Sequence, residues 1–151
     1  MRMLAIGAAL AAFAMPAFAE GDADAGESQF GRQCVSCHLV QNDAGDVLAG
    51  RNGRTGPNLY TVHGGVPGTV EGFAYSDALA AWGEEGGAWD EDSFVAFVMN
   101  PTEHLREVTG DARARSKMAY MVRDEQQARD IYAFIVSLHP DAAEGAEEAA
   151  E

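Results

Sequence analysis

Two cysteines stand three positions apart in the stretch Cys34-Val35-Ser36-Cys37-His38, and the chain has no others. That spacing constrains the fold more than any other feature. Two thiols cannot build a multi-bridge disulfide scaffold, so the chain must be held together in some other way. The pentapeptide C-x-x-C-H is the attachment signature of a c-type haem. Thiols three apart at a helix end reach two vinyl groups on one porphyrin edge, and the adjacent imidazole then meets the iron. Two other chemistries use paired cysteines, and neither suits this chain. A zinc site wants four ligands, and His63, His104 and His139 form no paired motif with one another in sequence. A thioredoxin-like redox pair follows a strand, and no strand pattern precedes Cys34.

Composition narrows the partners. Ten Lys and Arg stand against 24 Asp and Glu, a formal net charge of −14. Such an excess disfavours nucleic acid, which needs a basic surface, and an anionic membrane surface. The first nineteen residues read as a secretory signal peptide. Arg2 is followed by an apolar run of 11 residues, Leu4 to Ala14, then Pro16 and the small-x-small site Ala17-Phe18-Ala19. The run is short for a spanning helix, which needs about 20 apolar residues. The expectation is therefore cleavage after Ala19, export to the periplasm, a domain over 20–140, and an acidic disordered tail over 141–151. That tail holds five acids and nothing apolar larger than Ala.

Periodicity and caps predict helices over about Ala23 to Cys34, Glu91 to Asn100 and Glu125 to Leu138. Asp22 or Asp24 caps the first. Asp90 caps the second and Pro101 stops it. Asp124 caps the third, with Gln127 three residues on in a capping-box-like pair. A short helix over Asp77 to Trp82, capped by Ser76, is also expected. No alternation long enough for a sheet is visible, and residues 39–74 read as mostly loop.

From Gly26 to Leu138 the chain resembles the class I, mitochondrial-type c-type cytochromes, in their soluble bacterial periplasmic branch. Besides Cys34 to His38, the matching pieces are Gly26 and Phe30, Thr55-Gly56-Pro57-Asn58-Leu59, Gly72-Phe73-Ala74-Tyr75-Ser76-Asp77, Trp89, Asn100-Pro101 and Ser116-Lys117-Met118. The resemblance implies an all-α fold of three to five helices and long loops wrapped around one haem c, attached through Cys34 and Cys37. It implies that His38 and Met118 ligate the iron, with Met121 as competitor for the sulfur. It further implies that the Pro57 carbonyl accepts the second His38 N–H, and that Tyr75 and Trp89 donate to a haem propionate. Phe30 and Phe134 would pack where the terminal helices cross.

Three departures stand out. Gly65 replaces the family's usual basic residue, for which Arg51 or Arg54 is a possible substitute. Phe97 replaces a common Tyr near the Met sulfur. Tyr120 replaces the phenylalanine after the ligand.

The implied activity is one-electron transfer, not enzymatic turnover. The implied protein is a monomeric periplasmic carrier, running between a quinol–cytochrome c reductase-type donor and an oxidase, reductase or photosynthetic centre, with no small-molecule substrate. Alternatives are the dedicated electron-accepting cytochrome of a periplasmic dehydrogenase, and a haem enzyme or gas sensor with an open sixth position. One lysine in the whole chain, Lys117, stands with Arg113 and Arg115 beside the expected ligand, giving a small basic collar on an otherwise acidic molecule.

Overall fold

The computed structural model describes residues 20–140; the segments read as signal peptide and acidic tail lie outside them. Five helices carry the chain: α1 (Ala23–Gln33), α2 (Asp77–Glu84), α3 (Glu91–Met99), α4 (Pro101–Thr109) and α5 (Glu125–Ser137). A two-stranded antiparallel hairpin, β1 (Leu39–Gln41) and β2 (Val47–Gly50), follows the cysteine segment, with a register irregularity at Val40/Gln41. A single 3-10 turn spans Tyr60–Val62. No helix among the described residues is long and apolar enough to cross a membrane.

Local chemistry sets most boundaries. Asp22 caps α1, its carboxylate accepting from Asp24 N and Ala25 N at 2.9 and 3.0 Å. Ser76 caps α2. Asp90 and Ser93 close a reciprocal capping box at the start of α3. At α5 the Asp124 carboxylate accepts from Gln127 N, but the Gln127 side chain does not return to close a box; it accepts from Gln33 on α1 instead. Two elements differ from expectation. Pro101 does end α3, yet it also opens α4: Asn100 caps the new helix and Pro101 takes its first position, where a missing N–H costs nothing. Gly110, at φ 66°, ends α4 in the left-handed conformation that glycine adopts most readily. The hairpin was not foreseen because strands of three and four residues are too short for alternation to register.

The terminal helices make the principal crossing. Phe30 and Phe134 meet there with ring centroids 5.5 Å apart. Gly26 lies directly against α5, where a Cβ would overlap the Asp130 carbonyl and come within 2.8 Å of Phe134 Cβ. The crossing is also pinned by a polar contact, Asp22 N donating to the buried Asp130 carboxylate at 2.9 Å. Arg129 ties α5 to α3 through Glu91 at 3.1 Å and anchors within α5 to Glu125 at 2.9 Å. Burial of Phe30, Leu105, Ile131, Ile135 and Val40 completes a core shared by α1, α4, α5 and the hairpin. On its other side this core forms the wall of a cavity.

Candidate functional site

The cavity measures about 370 Å³ and is bounded by residues from well-separated parts of the chain. The α1 end and the turn after it contribute Cys34, Cys37 and His38. The 55–62 segment contributes Pro57 and Leu59. Tyr75, Trp89 and Phe97 come from the middle of the chain, and Met118 and Tyr120 from the segment between α4 and α5. All seven residues singled out from sequence therefore border one space: Cys34, Cys37, His38, Pro57, Tyr75, Trp89 and Met118. Met121 is exposed and is absent from the cavity wall, whereas Met118 is half-buried and on it.

The cysteines sit in a turn that leaves α1, with Cys37 N and His38 N both bonded back to Cys34 O. Neither is in a disulfide. Burial, with the neighbouring Cys37 adding to it, pushes the Cys34 thiol up to about 12. The His38 ring is buried, and burial holds its pKa below the ordinary histidine value, with the Pro57 bond opposing. Its Nδ1 is 2.9 Å from the Pro57 carbonyl oxygen. A carbonyl only accepts, so Nδ1 carries the proton and Nε2 keeps its lone pair for a metal. Gly56 makes the arrangement possible: its backbone lies against the imidazole where any Cβ would overlap the ring. Gly56 N also bonds to Cys37 O at 2.8 Å, fixing the loop to the cysteine turn.

Around the rest of the wall the side chains are mostly apolar, with aromatic rings among them. Trp89 is buried, stands edge-on to Trp82 at 4.8 Å and to Phe97 at 5.2 Å, and is held by two backbone bonds, Trp89 N to Gly65 O and Gly64 N to Trp89 O. Gly65 now has a physical reason. A Cβ there would run into the Thr61 carbonyl, so no basic side chain fits. Arg51 and Arg54 do not replace one at the cavity; both are exposed and neither borders it. Tyr75 stands edge-on to Phe73 at 4.9 Å, and burial raises the pKa of its hydroxyl, opposed by a backbone hydrogen bond with Val70. Phe97 presents a bare ring where a tyrosine would bring a hydroxyl.

The Met118 segment is braced from several sides. Met118 N donates to Ser116 Oγ at 3.0 Å, Ser116 N to Thr102 Oγ1 at 3.3 Å, and Val122 N to Val98 O at 2.9 Å. The Lys117 ammonium donates to the Ala74 carbonyl at 2.8 Å, and the Tyr120 hydroxyl to Gln33 Oε1 at 2.9 Å. Gln33, Thr102 and Ala74 carried no signal in sequence, because their partners lie 87, 14 and 43 residues away. Among the described residues, no group of three or more His, Cys, Asp or Glu comes together as a metal site.

A paired thiol turn, a neutral imidazole with one free nitrogen and a thioether on one largely apolar cavity fit a covalently held porphyrin. The comparisons agree. No protein-family model matches the chain. It is 52% identical over 118 residues to a cytochrome c2 of Rhodovulum adriaticum, spanning 78% of this chain and 93% of that one. A cytochrome c-551 of Roseobacter denitrificans is 46% identical over 137 residues, 91% and 95% of the two chains. Among solved structures, cytochrome c2 from Rhodobacter sphaeroides superposes with a TM-score of 0.75 at 43% identity, covering 78% of this chain and 96% of that one. Ferric cytochrome c-550 from Paracoccus versutus gives 0.73 at 37% identity, covering 80% and 100%.

The chain belongs to the class I c-type cytochromes, with the bacterial cytochromes c2 among its relatives. It carries one haem c attached through Cys34 and Cys37, and it is an electron carrier of redox proteins, not an enzyme.

Proposed function

We propose that the protein is a monomeric periplasmic one-electron carrier whose iron is held by His38 and Met118. It would shuttle between a membrane quinol–cytochrome c reductase-type donor and an oxidase, reductase or photosynthetic centre. The observation that carries this reading is the shared cavity: an Nε2 lone pair fixed by the Pro57 carbonyl and a half-buried thioether border the same space as the two attachment thiols. When bound, the haem would supply a single reversible one-electron couple, and His38 and Met118 would be the residues that hold its iron.

The chain's own residues then have distinct tasks. Pro57 keeps His38 in one tautomer and orientation and makes it a stronger donor. Met118 supplies a soft sulfur, which favours the ferrous state and raises the potential. Phe97 gives that sulfur no hydroxyl partner. Tyr75 and Trp89, both on the cavity wall, would donate to a propionate, which needs donors when it leaves water. The mostly apolar wall suits the porphyrin's apolar faces. Residues 1–19 are read as the export signal, removed after Ala19.

The ferric holoprotein should show the charge-transfer band of sulfur bound to iron. Met118→Ala should abolish the band and lower the potential, while Met121→Ala should leave both in place. A band that survives Met118→Ala overturns the ligand assignment.

A further inference from the structure

Tyr120 is half exposed, at 50%, and Met121 beside it is 41% exposed, so burial alone holds this stretch weakly. Among the described bonds, residues 119–121 have one hydrogen bond, the Tyr120 hydroxyl donating to Gln33 Oε1 at 2.9 Å. The receiving amide is itself fully used. Gln33 Nε2 donates to Gln29 Oε1 at 2.8 Å, one turn back on α1, and to Gln127 Oε1 at 3.0 Å, in the first turn of α5. With both N–H groups committed to carbonyl oxygens, the Gln33 oxygen is the atom left to face Tyr120. Turning the amide over would set oxygen against oxygen at Gln29 and Gln127. The chain Tyr120–Gln33–Gln127 thus joins the Met118 segment to both terminal helices. It is anchored at the residue immediately before Cys34.

We propose that this amide chain is a positioning device. The Tyr120 hydroxyl, through Gln33, holds the segment 119–121 closed and so limits how often Met118 leaves its place on the cavity wall. The proposal rests on the reading of Met118 as an iron ligand and goes beyond it, since neither Tyr120 nor Gln33 touches the iron's other partners. It also gives the tyrosine a task that a phenylalanine at the same position cannot perform.

Tyr120→Phe in the holoprotein removes one oxygen and keeps the ring. Losing one such bond shifts an opening equilibrium about five-fold. Amide hydrogen exchange at Met118 and Val122, whose N–H groups are bonded to Ser116 Oγ and Val98 O, should therefore speed up by about five-fold, because exchange there follows local opening of the segment between them. Added imidazole, which binds ferric iron only when Met118 has left, should bind about five-fold tighter, since apparent affinity scales with the open fraction. Gln33→Leu should act in the same direction, and Tyr120→Phe added to it should change little more. Unchanged exchange in Tyr120→Phe overturns the proposal, as does an imidazole affinity equal to that of the unaltered protein. The ligand reading fails separately. If Met118→Ala keeps the sulfur band and binds imidazole no better, Met118 is not the ligand. Faster exchange in Tyr120→Phe would still support the brace on the segment.

Discussion

Two glycines on the same helix should respond in opposite directions to the same substitution. Gly26 and Gly31 both lie in α1, and alanine in a helix interior is favoured over glycine by about 1 kcal/mol. At Gly31 nothing lies within 4 Å of a built Cβ, so that gain stands alone. Gly31→Ala should raise stability by about 0.5–1 kcal/mol, which for a domain of this size is a rise of roughly 2–4 °C in melting temperature. At Gly26 a Cβ overlaps the Asp130 carbonyl, with the carbonyl carbon at 2.5 Å and Phe134 Cβ at 2.8 Å. The obstacle is backbone in the middle of α5 and cannot rotate aside. The helices must part, loosening the Phe30–Phe134 contact. Overpacking of this kind costs about 3 kcal/mol, which outweighs the helical gain and leaves a net loss of about 2 kcal/mol. Gly26→Ala should therefore melt about 8 °C lower. Thermal unfolding of the two ferric holoproteins, followed by far-ultraviolet circular dichroism, measures both. A Gly26→Ala protein as stable as the parent would refute the close approach of α1 and α5.

Three further outcomes are expected. The Cys34→Ala/Cys37→Ala variant made without haem should lack a native helical spectrum by circular dichroism. The haem would fill a cavity of about 370 Å³ lined mostly by apolar side chains, and a group held only by the folded state supplies stability that a domain with about 5–15 kcal/mol in all cannot spare. His104 is buried among Trp82 and Phe97, and desolvation lowers its pKa against the opposing pull of Glu107 and Asp90. The neutral form is thus preferred when folded, the unfolded chain takes up the proton first, and stability should fall as pH drops below about 6.5. His104→Phe should flatten that limb in urea titrations between pH 5 and 6.5. Lys117→Glu with Arg113→Glu should slow association with an acidic redox partner in stopped-flow mixing, mostly through the exposed Arg113. Arg113 already lies 3.6 Å from Asp111, and Lys117 is bonded to Ala74, so the collar is weaker than three free charges. With a Debye length of about 8 Å at physiological salt, the rate should vary only shallowly with ionic strength.

What could be read from sequence was whatever local chemistry encodes. Asp22, Ser76, Asp90 and Asp124 announce their helices because a capping oxygen acts within three residues. Cys34 to His38 announces the attachment site because one turn of chain contains it. The helix after Pro101 was missed because proline reads as a stop, and only Asn100 in front of it and Gly110 behind it mark a restart. Gln127 looked like half a capping box, yet its side chain is used 94 residues away by Gln33. Resemblance supplied what spacing could not, including the approach of the Pro57 carbonyl to His38. The braces on the Met118 segment were invisible by either route. They join residues with no periodic relation, and the Tyr120 hydroxyl that makes one of them stands where the resemblance leads one to expect a phenylalanine.

Carbon monoxide added to the reduced holoprotein tests the central claim most directly. If His38 and Met118 both hold the iron, as proposed, the visible spectrum should not change on addition of the gas. A shift to a carbon monoxide complex would show an open or labile position at the iron, and would move the protein from electron carrier to haem enzyme or gas sensor.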